Sequence, residues 1–483
     1  MIRVSEKADN TAQLCYILRA YMDIQVCVMS SLANLMSTNQ LVGVSLATVA
    51  LGAMSCATEL PERSGEASSW STAYPGKADI YGEDSRRELN DPSVSEEHRA
   101  LSDSVAMVFQ TPTLIDVTED SVIFSTKHMS DKQQAVSGHP LCESEAFAKQ
   151  ISPGYCSAFL ITPQLIATAG HCVNGHTRCE QMGFAFGYAL ERPDEVPNSV
   201  PRDQFYRCES LVGRVYNPFE EQDAIDAQEY WYDWAVIKLD RPVTDHKPVV
   251  LTPKDERLAR SEGVVMIGHP SGLPMKVTEG SVVVDSKERY FNTNLDIYKG
   301  NSGSVVFGAE DGRAHGIAIR GSGGNSFELV SDGAGGQCNQ SKVCEAVGSA
   351  RGCFGNHVLR VDPLRVFTRE DLKLIERHAV VSNDDSTGSR HSFTFDEEGT
   401  VDVATVHLNA GARDSRGLRV LLHHDGQSVE VMTHPKDLPY GRWTASTEAF
   451  AGSSVEGEWV IEVINETEER YYVEWAQVML GHH

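Results

Sequence analysis

The strongest restriction on what this chain can fold into is the way its apolar residues are parcelled between residues 101 and 360. They come in short uniform or alternating runs: 158–168 (AFLITPQLIAT), 234–239 (WAVIKL), 263–268 (GVVMIG), 281–285 (SVVVD) and 304–308 (SVVFG). Gly, Pro, Asn and Asp separate them. Runs this short, with turn residues between them, build strands rather than amphipathic helices. One stretch there reads otherwise. Residues 368–379 (TREDLKLIERHA) predict a helix, with Thr368 and Asp371 placed as a capping pair. Past a polar stretch at 382–390, alternating strands resume through residue 480, which predicts a second β domain. The fold class expected is all-β.

A chain of 483 residues holds two or three domains, and 41% apolar residues is enough for at least one sizeable core. The formal charge of −26 excludes a general nucleic-acid binder, which needs a basic surface. Residues 41–54 (LVGVSLATVALGAM) form an apolar run too short to span a bilayer comfortably, followed by small residues. Residues 1–57 are therefore read as an export signal region, although the nearest preceding positive charge is Arg19. The start is then Met29 or Met36, and the rival reading is a buried helix. The expected location is secreted or cell envelope. Ala53-Met54-Ser55-Cys56 loosely resembles a lipoprotein cleavage site, which would leave a lipid anchor on Cys56 in place of simple secretion. Residues 58–100 are polar and rich in Ser, Glu and Pro, as a tether or propeptide would be. Eight of the eleven cysteines lie beyond Cys56, an even set that reads as disulfides in an exported chain. No CxxC pair suggests zinc.

Three local patterns carry chemistry. Serine-nucleophile catalysis needs a hydroxyl, an imidazole to take its proton and a carboxylate to orient that imidazole. Residues 156–173 (CSAFLITPQLIATAGHCV) run from an apolar strand into His171, and 233–239 (DWAVIKL) lead from Asp233 into another. Residues 300–304 (GNSGS) flank Ser302 with glycines, which let a serine project while backbone N–H groups converge on an oxyanion. Asp226 and Asp240 are the rival partners for His171.

These three blocks, in this order, resemble the His, Asp and Ser blocks of chymotrypsin-fold, trypsin-like serine peptidases. GNSGS and the segment 268–276 (GHPSGLPMK) resemble more narrowly the bacterial glutamyl-endopeptidase-like branch. The resemblance runs from about residue 80 to 365 and implies a double β-barrel over 101–380. It implies that Ser302 attacks the scissile carbonyl, His171 shuttles its proton, and Asp233 fixes the imidazole. The N–H groups of Gly300 and Ser302 would form the oxyanion hole. It further implies a Cys156–Cys172 disulfide. The other six cysteines are paired only loosely, Cys179 with Cys208 and two among Cys338, Cys344 and Cys353 with each other. Substrates are proteins or peptides, and catalysis needs no cofactor and no metal.

The resemblance has departures. Asn301 precedes the nucleophile, where trypsin has an Asp that pairs with its newly cut N-terminus, so that zymogen activation route is not carried over. Residues 80–91 (IYGEDSRRELND) resemble the region near the branch's mature N-terminus, and Arg86-Arg87 offers a processing site. Glutamyl endopeptidases bind the substrate carboxylate with a histidine in a GIH-type segment, whereas 316–320 (GIAIR) place Ala318 there. Asp296 stands six residues before Ser302, the offset of the pocket acid in trypsin-like enzymes. Unpaired there, its carboxylate would select Arg or Lys; the rival is that it caps a turn or pairs with Lys299 or Arg320. The expected function is thus a secreted serine endopeptidase cleaving after Arg or Lys. The alternatives are a glutamyl-specific enzyme and a non-catalytic binding protein on a peptidase scaffold.

Residues 391–483 resemble the P domain of proprotein convertases, through 417–432 (GLRVLLHHDGQSVEVM), 448–463 (EAFAGSSVEGEWVIEV) and 473–481 (VEWAQVMLG). That family implies a jelly-roll-like β-sandwich. His423, His424, His482 and His483 read as solvated residues on exposed strands rather than metal ligands.

Overall fold

The computed structural model describes residues 80–173, 179–192, 195–216, 232–321, 326–349, 353–385, 388–412, 418–433, 440–466 and 471–483. The export signal region, Cys56 and Asp226 lie outside them. Most of the described elements are strands, with two short α-helices and several 3₁₀ turns between them. Six strands close into a first barrel, in the order Phe205–Tyr216, Asp233–Leu239, Leu165–Thr168, Cys156–Leu160, Val105–Gln110, Met182–Phe186. A second barrel runs Gly263–Gly268, Val305–Gly308, Ala314–Arg320, Asn356–Arg360, Tyr290–Thr293, Lys276–Ser286, and the last pairs back onto the first. The apolar run at 158–168 is two strands of one hairpin, because Thr162 Oγ1 accepts from the Leu165 N–H and turns the chain back. One apolar cluster joins the barrels, with Val108, Phe159 and Val236 from the first and Ile267, Val305 and Ile317 from the second. Closing both sheets leaves few edges to protect.

The C-terminal part is a sandwich of two four-stranded antiparallel sheets. One holds Lys373–Asp385, Tyr471–His482, Val401–Ala412 and Tyr440–Thr447; the other holds Gly388–Phe395, Gly457–Asn465, Leu418–His424 and Gln427–Thr433. Alternation is plain in the burial of Gly388–Phe395 and Leu418–His424, whose inward residues face a core built around Trp443 and Trp459. His424 is 2% exposed, stacked on Trp459 with ring centroids 3.9 Å apart, and His482 is buried as well. The expectation that both are solvated is therefore corrected: the HH pair puts one histidine on each face of a strand, and His424 takes the inner one.

The predicted helix at 368–379 is absent. A 3₁₀ turn, Asp362–Thr368, is followed by the strand Lys373–Asp385, which hydrogen-bonds along its length to the last strand. Thr368 Oγ1 bonds back to the Arg365 carbonyl and Asp371 pairs with Arg369, so neither caps a helix. The reason is tertiary. Leu372 and Leu374 pack on the barrel core while Ile375 and Ala379 pack on the sandwich core. Adjacent side chains must therefore point to opposite sides, which only an extended chain provides. Residues 80–88 likewise do not hang free: Arg86–Glu88 pairs with Lys276–Ser286, and Ile80–Tyr81 pairs with Val343–Cys344.

Candidate active site

The strand Leu165–Thr168 ends in a 3₁₀ turn, Gly170–Cys172, that carries His171. Glycine is required at 170, where a Cβ would sit 2.4 Å from the Val215 carbonyl oxygen. A disulfide joins Cys172 to Cys156 on the neighbouring strand. Asp233 opens the strand Asp233–Leu239 and grips His171 at two points. Its Oδ1 accepts from the His171 backbone N–H at 2.8 Å, and its Oδ2 lies 2.7 Å from Nδ1. Of the two described candidates, Asp233 and Asp240, it is Asp233 that the fold brings to the imidazole. That ring is about one-third exposed. Burial alone would depress its pKa, but the charge and hydrogen bond of Asp233 outweigh burial and hold it above the ordinary histidine value. The Arg214 and Arg320 charges pull the other way.

Ser302 sits in a turn between Gly300 at φ 102° and Gly303 at φ 86°, both in the region that favours glycine. The turn is keyed onto the hairpin that bears His171. The Ser302 carbonyl accepts from the Ser157 N–H at 2.8 Å and lies 3.6 Å from Cys172 Sγ. A Cβ on Gly303 would come within 2.1 Å of the Ser157 oxygen and 2.3 Å of Thr168 Oγ1. The serine turn therefore lies against the turn that bears His171, one from each barrel.

The Gly300 and Ser302 N–H groups donate to no partner among the described residues. The Lys299 carbonyl accepts from the Ser271 N–H at 2.5 Å. Across a planar trans peptide the N–H points opposite to the carbonyl, so this bond turns the Gly300 N–H away from Ser271 and leaves it free. The Asn301 carbonyl accepts from Ser304 N–H at 2.8 Å and directs the Ser302 N–H by the same geometry. Two free donors beside a serine form the constellation that stabilises a tetrahedral oxyanion.

Behind this turn stands a residue that the sequence did not single out. Lys132, on the helix Met129–Ser137, has the carbonyls of Ser152 (2.9 Å), Gly154 (2.9 Å) and Ser271 (3.1 Å) and Ser152 Oγ (3.0 Å) within hydrogen-bond reach of its three N–H donors. It ties together the segment that aims Lys299. Burial lowers its pKa to about 8.

The pocket floor differs from the expectation. Asp296 is buried, but its carboxylate is not unpaired: it accepts from the Tyr81 N–H (2.7 Å), the Ser85 N–H (2.7 Å) and Ser85 Oγ (2.6 Å). Neither Lys299 nor Arg320 bonds to it; the chain from 81 to 85 does. Burial raises its pKa despite those donors. Next to it, Arg86 is buried over the Tyr298 ring at 3.8 Å and paired to Asp84 at 2.6 Å. Cleavage at Arg86-Arg87 would have to extract that side chain from a paired strand, so the native fold does not present it as a processing site. Ala318 is buried in the strand Ala314–Arg320 and brings no polar group to the floor.

All eight cysteines beyond Cys56 are bridged: Cys142–Cys338, Cys156–Cys172, Cys179–Cys208 and Cys344–Cys353. Cys156, His171 and Cys172 are the close grouping of metal-type ligands among the described residues, and the disulfide consumes both sulfurs. Among those residues no helix is long and apolar enough to cross a membrane.

Residues 156–317 match the family model of the trypsin-like peptidase domain. That match takes in His171, Asp233 and Ser302. No curated protein sequence matches the chain. Solved structures similar to it include a Glu endopeptidase in complex with MPD, 16% identical, covering 60% of this chain and 96% of that one with a TM-score of 0.32. Human heparin binding protein is 13% identical, covering 59% and 94% with a TM-score of 0.33. The atomic-resolution structure of HBP is 14% identical over the same shares, also at 0.33.

Proposed function

We propose that this chain, with its trypsin-like peptidase segment, is an exported serine endopeptidase that works through His171, Asp233 and Ser302. The observation that carries the reading is the two-point grip of Asp233 on the His171 backbone and Nδ1, facing a serine turn with two free N–H donors. Ser302 Oγ forms the bond to the scissile carbonyl carbon while His171 takes its proton, and the Gly300 and Ser302 N–H groups hold the developing oxyanion. His171 then gives that proton to the departing amine as the C–N bond breaks. Water, deprotonated by the same imidazole, cleaves the acyl-enzyme. Four disulfides support an oxidising destination. Secretion and a lipid anchor at Cys56 compete for that destination, and mass spectrometry of the mature N-terminus separates them. Relationship of the sandwich to P domains rests on the sequence likeness alone.

Cleavage after Arg or Lys loses its physical basis once the Asp296 carboxylate is taken, and Ala318 offers nothing to a substrate Glu. We therefore propose a pocket whose selectivity comes from neither residue. Reaction with a fluorophosphonate probe, with loss of labelling in Ser302→Ala, tests the catalytic reading. A folded wild-type protein that neither labels nor cleaves casein would instead be a binding protein on this scaffold.

A further inference from the structure

The barrel strand Phe205–Tyr216 packs against the sandwich, and Arg214 lies where the two meet. Arg214 is 7% exposed, yet no carboxylate forms an ion pair with it among the described residues. Its acceptors are neutral. Nε donates to the Gly170 carbonyl at 2.7 Å and Nη1 reaches the Thr444 carbonyl at 3.4 Å, while its backbone N–H donates to Ser446 Oγ at 2.9 Å. Thr444 and Ser446 belong to the sandwich strand Tyr440–Thr447. Thr405, also in the sandwich, bonds to Ser446 Oγ at 2.8 Å and to the Val212 carbonyl at 3.1 Å. The Gly170 carbonyl belongs to the peptide that leads into His171. A buried guanidinium with no direct ion pair, only the charge of nearby Asp233, is costly to keep, so its place beside the triad calls for a reason other than stability.

The geometry points to Arg214 as a positioning residue that couples the sandwich to the catalytic histidine, gripping the Gly170 carbonyl on one side while Thr444 and Ser446 grip it on the other. This rests on the reading of His171 as general base. The C-terminal sandwich is then a working part of the active site rather than an appended targeting module. A second effect follows from charge. The groups facing His171 are Asp233 from the strand Asp233–Leu239, Arg214 and Tyr216 from Phe205–Tyr216, and Arg320 from Ala314–Arg320. Of these Asp233 favours the imidazolium and the two arginines oppose it, which keeps more of the imidazole free as base near neutral pH.

The test uses the full chain. In a Ser302→Ala background, the His171 imidazole is titrated by NMR with and without Arg214→Met. Removing the cation should move the titration midpoint to higher pH. In the active enzyme the same change should move the acid limb of kcat/KM upward and lower kcat on the order of tenfold to a hundredfold, with KM little altered. Arg214→Lys should restore the limb but not kcat, since the charge returns without the Nε bond. Ser446→Ala, which reaches the triad through Arg214, should lower kcat about threefold. It also serves if Arg214→Met does not fold. An unchanged midpoint in Arg214→Met, or a Ser446→Ala enzyme with unaltered kcat, overturns the coupling. A midpoint shift in a protein that never cleaves peptides leaves the coupling standing and removes only the proteolytic reading.

Discussion

The two barrels hold their halves of the site by different means. In the first, His171 and Asp233 are fixed mainly by neighbours a few strands away, through backbone contacts such as Gly170 against Val215 and Asp233 against the His171 N–H, and the sandwich reaches them through Arg214. In the second, the serine turn and pocket floor are held by segments remote in sequence: residues 81–86 under Asp296 and Tyr298, and Lys132 behind Ser271. A site whose parts are locally braced should fail at the residues that do the chemistry. One braced from afar should also fail at residues that never touch substrate.

Ser302→Ala should give the largest effect, a loss of turnover of about five to six orders of magnitude, measured with a peptide substrate. Its unfolding temperature should stay near wild type, because the turn is held by Gly303 and the Ser302 carbonyl rather than by the hydroxyl. Activity above about a tenth of wild type breaks the assignment.

Lys132→Met should lower kcat about a hundredfold, comparable to losing an oxyanion donor. Wild-type kcat should fall as pH rises through about 8, where Nζ loses its proton and one of its donors. The sign follows from burial disfavouring the charged ammonium, which brings neutralisation down into the working range. A wild-type kcat that stays flat well above that pH would detach Lys132 from the oxyanion turn.

Replacing Cys156 and Cys172 by serine should lower stability by about 3 kcal/mol, read by denaturant titration. Activity at low temperature should survive, since the Asp233 grip does not depend on the bridge.

Asp296→Ala should give the smallest catalytic change. It strands the Tyr81 and Ser85 donors and should cost about 1–3 kcal/mol of stability. Profiling with peptides ending in Arg, Lys, Glu or Phe should return the wild-type preference. An Arg preference that disappears in the variant would restore Asp296 as the selecting acid and erase the contrast between the barrels.

Much of the site in both barrels was legible because its signals are local. TAGHC, DWAVIKL and GNSGS need particular small or polar residues at particular steps of the backbone, and a change in any would show at once in the sequence. The strand Gly263–Gly268 matches its apolar run residue for residue. Asp296 was misread for the complementary reason. Its offset from Ser302 suggests a pocket acid, but whether a buried carboxylate is free depends on what else reaches it, and its three donors arrive from more than 200 residues away. Arg214 carried only a faint signal, one charge in the otherwise mostly apolar run 211–216 (LVGRVY).

The sequence by itself determined the β class, the order of the His171, Asp233 and Ser302 blocks and the Cys156–Cys172 bridge that the family likeness implies. These rest on side-chain alternation and turn chemistry, which act over a few residues. Only the tertiary structure decided that 373–385 is a strand, that Asp296 is engaged, and that Lys132 and Arg214 stand behind the site. In each case the competing local states are close in energy, and a partner distant in the chain selects between them. The two hydrophobic cores on either side of Leu374 and Ile375 choose extended chain over helix in the same way.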